Sequence, residues 1–173
     1  MKRAHKRQKR DDWQNRRSDR YIARKIRQEK EGGFKCSHCK QWVVVGQYMG
    51  TSNRNHCCQC LWSKHVDVKK GDRKAVCQAG MQPIGLTFRI EGSLRSGELM
   101  LVHDCMGCDK ISINRIAADD SEERILEIFN LSLTLSDGQK DVLNAAGIYI
   151  ATADDRQTVV GALFGYGYNI HGF

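Results

Sequence analysis

The sequence predicts an α+β protein whose β-rich module is stabilised by zinc. Two observations predict this class. All eight cysteines lie between residues 36 and 108, and six of them form Cys-x-x-Cys pairs. The segments before and after them contain helical patterns and no cysteine. We therefore expect three parts: a basic helical arm (1–33), a double zinc-ribbon-like module (34–120), and a small C-terminal appendage of helices and a strand (121–173).

The composition argues against a membrane protein and against a secreted one. No run of 18 apolar residues exists, so no segment is expected to span a bilayer as a helix. The charged N-terminus has no apolar stretch after it, unlike a secretory signal peptide. We therefore expect a cytoplasmic protein, in which a reducing environment leaves cysteines available as metal ligands rather than as disulfides.

The basic arm carries the entire charge excess. The chain has a net charge of +8, and residues 1–31 hold 13 Lys or Arg against 5 Asp or Glu. Residues 32–173 hold 15 of each class. Residues 1–10 are too polar to fold alone, whereas residues 11–31 contain good helix formers that end at a Gly-Gly pair. An arm of this kind is typical of nucleic-acid binding through phosphates.

We expect the arm to contact RNA rather than DNA, by backbone and shape recognition, because no base-reading motif is visible. A solvated tail is the plainer alternative. A membrane-surface helix would need a wider apolar stripe than Ile22 and Ile26 provide. The expected phosphate-contacting residues are Lys2, Arg3, Lys6, Arg7, Lys9, Arg10, Arg16, Arg17, Arg20, Arg24, Lys25 and Arg27.

The first two Cys-x-x-Cys pairs predict one zinc site. They are Cys36 with Cys39 and Cys57 with Cys60, and 17 residues separate the two pairs. Each pair presents two thiolates from a tight turn, and two pairs complete the tetrahedron that Zn²⁺ prefers. Buried cysteines without a metal would have no need of this paired spacing.

The remaining cysteines predict a second zinc site with one ligand to be found. Cys77, Cys105 and Cys108 provide three thiolates. His65 is the favoured fourth ligand, because it lies far enough before Cys77 for the two to arrive on separate elements. Two zinc ions per chain are therefore expected. The sequence leaves open His103, His56 and Cys58 as alternative ligands, and a crosswise pairing of Cys57 and Cys60 with Cys105 and Cys108.

Short strand patterns fill the spaces between the cysteines. Strands are predicted over 42–45, 86–90, 99–102 and 111–113, with loops at 46–53 and 91–97. The strand over 86–90 is expected to be half-buried, because Thr87 and Arg89 alternate with its apolar residues. The module is small and has few large apolar residues. Structural zinc contributes about 10–16 kcal/mol in small modules, so it is expected to decide folding here.

Two capping boxes predict helices in the C-terminal appendage. Asp120 with Glu123 fits an N-cap and its partner, and predicts a helix over 121–129. Ser136 with Gln139 begins a second helix.

A helix end, a short strand and a further helix are predicted after the start of the second helix. Gly147 is expected to end it, and a short strand over 148–150 comes next. Asp154 or Asp155 then opens a helix that continues through Phe164. We favour a role for the appendage in packing on the zinc module over a role as a docking surface.

Several longer motifs are shared with a known family. They are Arg54-Asn55-His56-Cys57, Cys60-Leu61, Ser63-Lys64-His65-Val66-Asp67, Gly71-Asp72-Arg73 and Asn114-Arg115-Ile116-Ala117-Ala118-Asp119-Asp120. With them, residues 34–120 resemble the RNHCP domain family of bacterial proteins, named for an Arg-Asn-His-Cys-Pro motif. Cys58 stands where that family has Pro. The resemblance implies a zinc-dependent fold and specifies no activity.

The polar residues near the cysteines have simpler roles than catalysis. Arg54 and His56 are expected to hydrogen-bond to cysteine thiolates. His38, inside the first pair, is expected to face solvent. A small-molecule substrate is not indicated, because neither a Gly-rich nucleotide cradle nor a Ser nucleophile motif is present.

The sequence therefore predicts a non-catalytic RNA-binding protein, with ribosomal RNA or a ribosomal particle as the expected partner. Zinc would hold the module together while the arm neutralises phosphates. Two alternatives remain open. One is a metal-dependent nuclease of the His-Asn-His type, with His65 and Asp67 as its first candidates. The other is a zinc-stabilised adaptor that binds DNA or protein.

Overall fold

The computed structural model describes residues 32–45, 54–69, 72–89 and 97–165. The predictions for the basic arm, for the loop at 46–53, for nearly all of the loop at 91–97 and for the chain after Gly165 lie outside these ranges. The chain divides into two compact units. One comprises Met1–Lys35 with Trp42–Gly46, and the other comprises Cys36–Gln41 with Gln47–Phe173.

The described part of the first unit is an antiparallel pair of strands. Strand β1 (Gly33–Lys35) pairs with β2 (Trp42–Val44), so that Gly33 lies opposite Val44. The strand predicted over 42–45 is therefore confirmed. Glycine is required at position 33, because a Cβ there would lie 2.4 Å from the carbonyl oxygen of Val43.

The second unit contains an antiparallel sheet of four strands in the order β3-β4-β5-β6. Their bounds are Ser63–Lys64 for β3, Gly80–Phe88 for β4, Leu99–Cys105 for β5 and Ile111–Arg115 for β6. The strands predicted over 99–102 and 111–113 are confirmed and are longer than expected. The two-residue β3 was not predicted.

Strand β4 differs most from its prediction. It begins six residues before Leu86, and its register with β5 shifts between Pro83 and Gly85. Thr87 is buried rather than solvent-facing, because its hydroxyl donates a hydrogen bond to the carbonyl oxygen of Tyr149, at 2.7 Å. The strand predicted over 148–150 is wrong, since only an isolated bridge joins Thr87 to Ile150.

Three α-helices follow the sheet in the described chain up to Gly165. They are α1 (Glu122–Ser132), α2 (Asp137–Ala145) and α3 (Arg156–Phe164), and a 3₁₀ turn (Ala153–Asp155) precedes α3. The capping box of Ser136 and Gln139 is confirmed, with hydrogen bonds formed in both directions. Gly147 follows α2 with φ of +74°, a conformation that a residue with a Cβ rarely adopts.

The core of the second unit is formed by the sheet and the C-terminal segment together. Helix α1 packs against β4, which is the packing role favoured for this segment. The core cluster comprises Leu61, Leu86, Phe88, Leu99, Leu101, Ile125, Ile128, Phe129, Ala151 and Val159. Within the described ranges, none of the helices has the length and apolar character needed to cross a bilayer.

Candidate metal centres

Three Cys-x-x-Cys turns close in the same way. The backbone N–H of the first cysteine donates to the carbonyl oxygen five residues later in each turn. These bonds join Cys36 to Gln41 at 2.8 Å, Cys57 to Trp62 at 3.0 Å and Cys105 to Lys110 at 3.0 Å. The chain therefore folds back on itself, and both cysteines of a pair point to the same side.

Two of these turns contain a residue in the left-handed region of backbone space. Lys40 and Leu61 occupy equivalent places in their turns, with φ of +66° and +59°. Neither residue is Gly, so each carries a conformational cost that the surrounding turn must offset. Metal binding by the adjacent cysteines provides such an offset.

The first two turns bring together the four cysteines of the first predicted site. Cys36 Sγ lies 3.6 Å from Cys60 Sγ, and Cys39 Sγ lies 3.6 Å from Cys57 Sγ. All four sulfurs are within 4.8 Å of one another. Two thiolates at about 2.3 Å from a tetrahedral Zn²⁺ are about 3.8 Å apart, so the cluster has the dimensions of a zinc site.

The second cluster contains Cys77, Cys105, Cys108 and His65. His65 Nδ1 lies 3.4 Å from the sulfur of Cys105 and 3.4 Å from that of Cys108. Cys77 Sγ is 3.6 Å from Cys105 Sγ. Three thiolates and one imidazole are a common zinc ligand set. The two clusters therefore fit two zinc ions, as predicted.

The pKa values of the thiols shift in both directions within each cluster. Hydrogen bonds lower the pKa of Cys39 in the first cluster despite its burial, and burial and neighbouring thiols raise the pKa of Cys108 in the second. Burial raises the pKa of Cys57 to about 11, and it raises the pKa of Cys60 as well. Burial would also raise the pKa of Cys105, but hydrogen bonds from the Gly107 backbone and from neighbouring ligands lower it to about 7. Zinc binds the thiolate form, so loading the first cluster must displace protons from buried thiols.

The other candidate ligands lie elsewhere. Neither Cys58 nor the remaining histidines of the described chain join a cluster, and Cys57 and Cys60 group with Cys36 and Cys39 rather than crosswise. Cys58 contributes its carbonyl oxygen, which accepts from the backbone N–H of Ser121 at 2.8 Å.

The His38 side chain is exposed, in agreement with its prediction. Its ring also stacks on Trp62, with ring centroids 4.0 Å apart and planes only 3° from parallel. This contact joins the first Cys-x-x-Cys turn to the second beside their shared cluster.

Arg54 and His56 form a buried ionic group with Asp120, not hydrogen bonds to thiolates as predicted. His56 Nε2 lies 2.7 Å from Asp120 Oδ2, and Arg54 Nη2 lies 3.3 Å from Asp120 Oδ1. Arg54 also pairs with Asp119. The Arg54 and Asp120 side chains have no exposed surface, whereas half of Asp119 is exposed. Arg54 and His56 therefore act by pairing with a buried carboxylate.

The predicted N-cap of the first helix is wrong for the same reason. Asp120 is occupied by Arg54, His56 and the backbone N–H of Ala117, which donates to it at 2.7 Å. Ser121 is the N-cap instead, and its hydroxyl accepts from the N–H of Arg124 at 3.3 Å.

A series of hydrogen bonds between polar side chains leads from Asn55 to the turn that carries Cys57 and Cys60. Asn55 donates to Asn114 at 2.6 Å, and Asn114 donates to His103 Nδ1 at 2.9 Å. His103 Nε2 then donates to the carbonyl oxygen of Leu61 at 2.7 Å. Burial lowers the pKa of His103 to about 4, so the ring is neutral near pH 7. A neutral ring can accept on one nitrogen and donate on the other, as this chain requires.

These contacts bring together two sequence motifs that lie far apart in the chain. Arg54, Asn55 and His56 contact Asn114, Asp119 and Asp120, across about 60 positions of sequence. Nothing in the spacing of one motif identifies the other as its partner.

Asp67 has a local structural role. Its Oδ1 accepts a hydrogen bond from the backbone N–H of Arg73 at 2.8 Å. Asp72 accepts from the N–H groups of Val68, Lys69 and Lys74 in the same segment. The hydrogen bonds to Asp72 hold its carboxyl pKa below the usual value. Both carboxylates therefore shape the chain between His65 and Cys77.

Comparison with known proteins agrees with this geometry. A family model, the RNHCP domain, matches residues 31–126, which is more than half of the chain. No curated protein and no solved structure gave a match. The matched range contains both clusters and the Arg54–Asp120 ionic group. The chain belongs to the RNHCP domain family.

Proposed function

We propose that this zinc-binding protein is a non-catalytic RNA-binding protein whose basic arm contacts phosphates. The observation that carries the proposal is the charge distribution. Residues 1–31 hold 13 Lys or Arg against 5 Asp or Glu, whereas residues 32–173 hold 15 of each. A cationic arm on a body of zero net charge favours a polyanionic partner, because each phosphate contact releases condensed counterions. Zinc would stabilise the folded module, and the arm would neutralise phosphates.

Ribosomal RNA, or a ribosomal particle, is the proposed partner. It offers a high density of phosphates in a compartment where cysteines stay reduced. The proposal rests on analogy with small zinc proteins that carry basic extensions. Co-sedimentation with ribosomal particles in a sucrose gradient tests this partner directly, with loss of co-sedimentation expected at high salt. A protein that remains at the top of the gradient at low salt contradicts it.

The nuclease alternative depends on His65 and Asp67. His65 belongs to a four-residue cluster that fits zinc, so its imidazole is committed to the metal. Asp67 accepts a backbone hydrogen bond that shapes a turn. Neither role leaves a group arranged to activate water on a scissile phosphate.

A salt series tests the role of the arm. We expect the logarithm of RNA affinity to fall linearly with the logarithm of salt concentration, by about 0.7 per phosphate contacted in a single strand. Removal of residues 1–31 should abolish most of that slope. Fluorescence anisotropy with labelled ribosomal RNA fragments measures both quantities. An affinity that is insensitive to salt and survives the deletion contradicts the proposed function.

A further inference from the structure

A cleft of about 750 Å³ opens on the second unit beside the His65 cluster. Strand β3 and the segment after it form one side, and the edge strand β6 forms the other. His65 lines the cleft, so a residue of the second metal centre forms part of the cleft wall. The size falls within the range of about 300–1,000 Å³ that ligand-binding clefts occupy.

The rim of this cleft is strongly basic. Six exposed cations line it, and Asp67 is the single acidic residue of its lining. Among the described residues, only one of the six, Arg115, forms a salt bridge, with Glu98 at 2.8 Å. The six exposed cations are Lys64, Lys69, Arg73, Arg89, Lys110 and Arg115.

This concentration of cations reflects an uneven charge within the neutral body. Residues 32–118 hold 12 Lys or Arg against 6 Asp or Glu, and residues 119–173 hold 3 against 9. The zero net charge of residues 32–173 therefore conceals a basic portion and an acidic portion. The basic portion contains all the residues that line the cleft.

The interior of the cleft is suited to more than isolated phosphates. Val68 and Ile113 line it as exposed apolar side chains, and the buried Met81 and Met100 lie beneath its surface. Asn55 and Asn114 also line it, at the place where they hydrogen-bond to each other. A partner that combines phosphates with bases, whose faces are apolar and whose edges form hydrogen bonds, matches this mixture of surfaces.

We propose that this cleft binds single-stranded RNA, as a second contact site in addition to the basic arm. A single strand presents phosphates to the rim and unpaired bases to the interior, whereas a duplex encloses its bases. The choice of RNA over DNA rests on the proposed function. The zinc-binding turn that carries Cys105 and Cys108 precedes β6, so zinc indirectly maintains one side of the cleft.

The test compares two triple variants that each remove three positive charges. The cleft variant is Lys64→Gln, Arg73→Gln and Arg89→Gln. The control variant is Lys35→Gln, Arg124→Gln and Lys140→Gln, at positions outside the cleft. Each is made in the full chain and in a chain that lacks residues 1–31. Zinc content and thermal midpoint establish that each variant is folded. Binding of a labelled single-stranded RNA of mixed sequence is measured by anisotropy over a salt series.

We expect the cleft variant to reduce the salt slope by about 2, from three lost contacts at about 0.7 each, and to weaken binding at least about tenfold at physiological salt. The reduction should persist in the chain that lacks the arm. The control variant should leave the slope unchanged in both backgrounds.

Three outcomes overturn the proposal, and they are distinguishable. If the intact chain binds RNA but the cleft and control variants behave alike, the cleft proposal fails while arm-based binding stands. If the intact chain binds no RNA at any salt concentration, the cleft and the proposed function fail together. If single-stranded DNA of the same sequence binds equally well, the assignment of RNA fails.

Discussion

Neighbouring side chains of the Arg54–Cys57 motif have different tasks. Cys57 belongs to a cluster that fits a zinc ion, while His56 and Arg54 hold a buried carboxylate. The sequence predicts the first task, because paired cysteines carry their own spacing signal. It does not predict the second, because Asp120 lies 64 residues after His56. Asp120 also precedes a helix, so local chemistry alone favoured an N-cap there.

The buried carboxylate should matter more to stability than its exposed neighbour. We expect Asp120→Ala to lower the free energy of unfolding by about 3–5 kcal/mol, because it removes the buried carboxylate that Arg54, His56 and the backbone N–H of Ala117 share. Asp119→Ala should cost at most about 1 kcal/mol, because that side chain is half exposed. Urea unfolding of the zinc-loaded protein measures both. Equal effects from the two variants would show that Asp120 is not the centre of the ionic group.

Zinc stoichiometry should identify the fourth ligand of the second cluster. We expect His65→Ala to reduce bound zinc from two ions to one under competition by a chelator, because three thiolates leave the fourth position of the tetrahedron to water and hold the ion less tightly. His38→Ala and Cys58→Ala serve as matched controls, since neither side chain belongs to a cluster. Native mass spectrometry after exposure to a competing chelator measures the metal count. Retention of two ions by His65→Ala contradicts the assignment.

At the scale of elements, strand β4 shows where sequence patterns stop being informative. Its second half has the alternating apolar and polar sequence expected of a strand, although Leu86, Thr87 and Phe88 are all buried. Pro83 and Gly85 are of residue types depleted in strands, and they conceal its first half. The structure accommodates both by a register shift. Thr87 is polar yet buried, because a backbone carbonyl 62 residues later satisfies it. Alternation reports how polar a residue is, but it does not report which distant groups will cover it.

Capping predictions succeeded where the partners are close in sequence. Ser136 and Gln139 satisfy each other within a single turn, so local chemistry decides the start of α2. The first helix also exists as predicted, but its cap moved by one residue because a distant partner claimed Asp120. Element existence thus followed from local pattern, while the exact boundary depended on tertiary contacts.

Two glycines should respond to alanine with opposite signs. A Cβ at Gly85 would lie 2.9 Å from Ile150 Cδ1 and 3.0 Å from Ser132 Cβ, so Gly85→Ala should destabilise by about 1–3 kcal/mol. A Cβ at Gly138 meets nothing within 4 Å, so Gly138→Ala in α2 should stabilise by about 0.5–1 kcal/mol. Thermal unfolding of both variants provides the comparison. Destabilisation by Gly138→Ala, or tolerance of Gly85→Ala, contradicts it.

At the scale of the whole molecule, the metal centres and the helical core are one structure within the second unit. Leu61 follows Cys60 in a zinc turn, yet it is fully buried in the same cluster as Leu101 and Ile125. Its carbonyl oxygen also accepts from His103, on the strand that ends at Cys105. The sequence predicted a zinc module and a packing appendage, but it could not show that one residue serves both. That role depends on a turn and a sheet meeting in space.

Removal of zinc should therefore unfold the C-terminal helices as well as the metal sites. Structural zinc is worth about 10–16 kcal/mol per site in small modules, which equals or exceeds the whole stability of an ordinary domain. When the turn at Cys57 opens, Leu61 leaves the core against which Ile125 and Phe129 pack. We expect chelation to abolish amide hydrogen-exchange protection in α1 together with that in β4 and β5. Zinc added back should restore all three. If α1 keeps its protection while residues 54–61 lose theirs, the helices have a stable core of their own and the two parts fold separately.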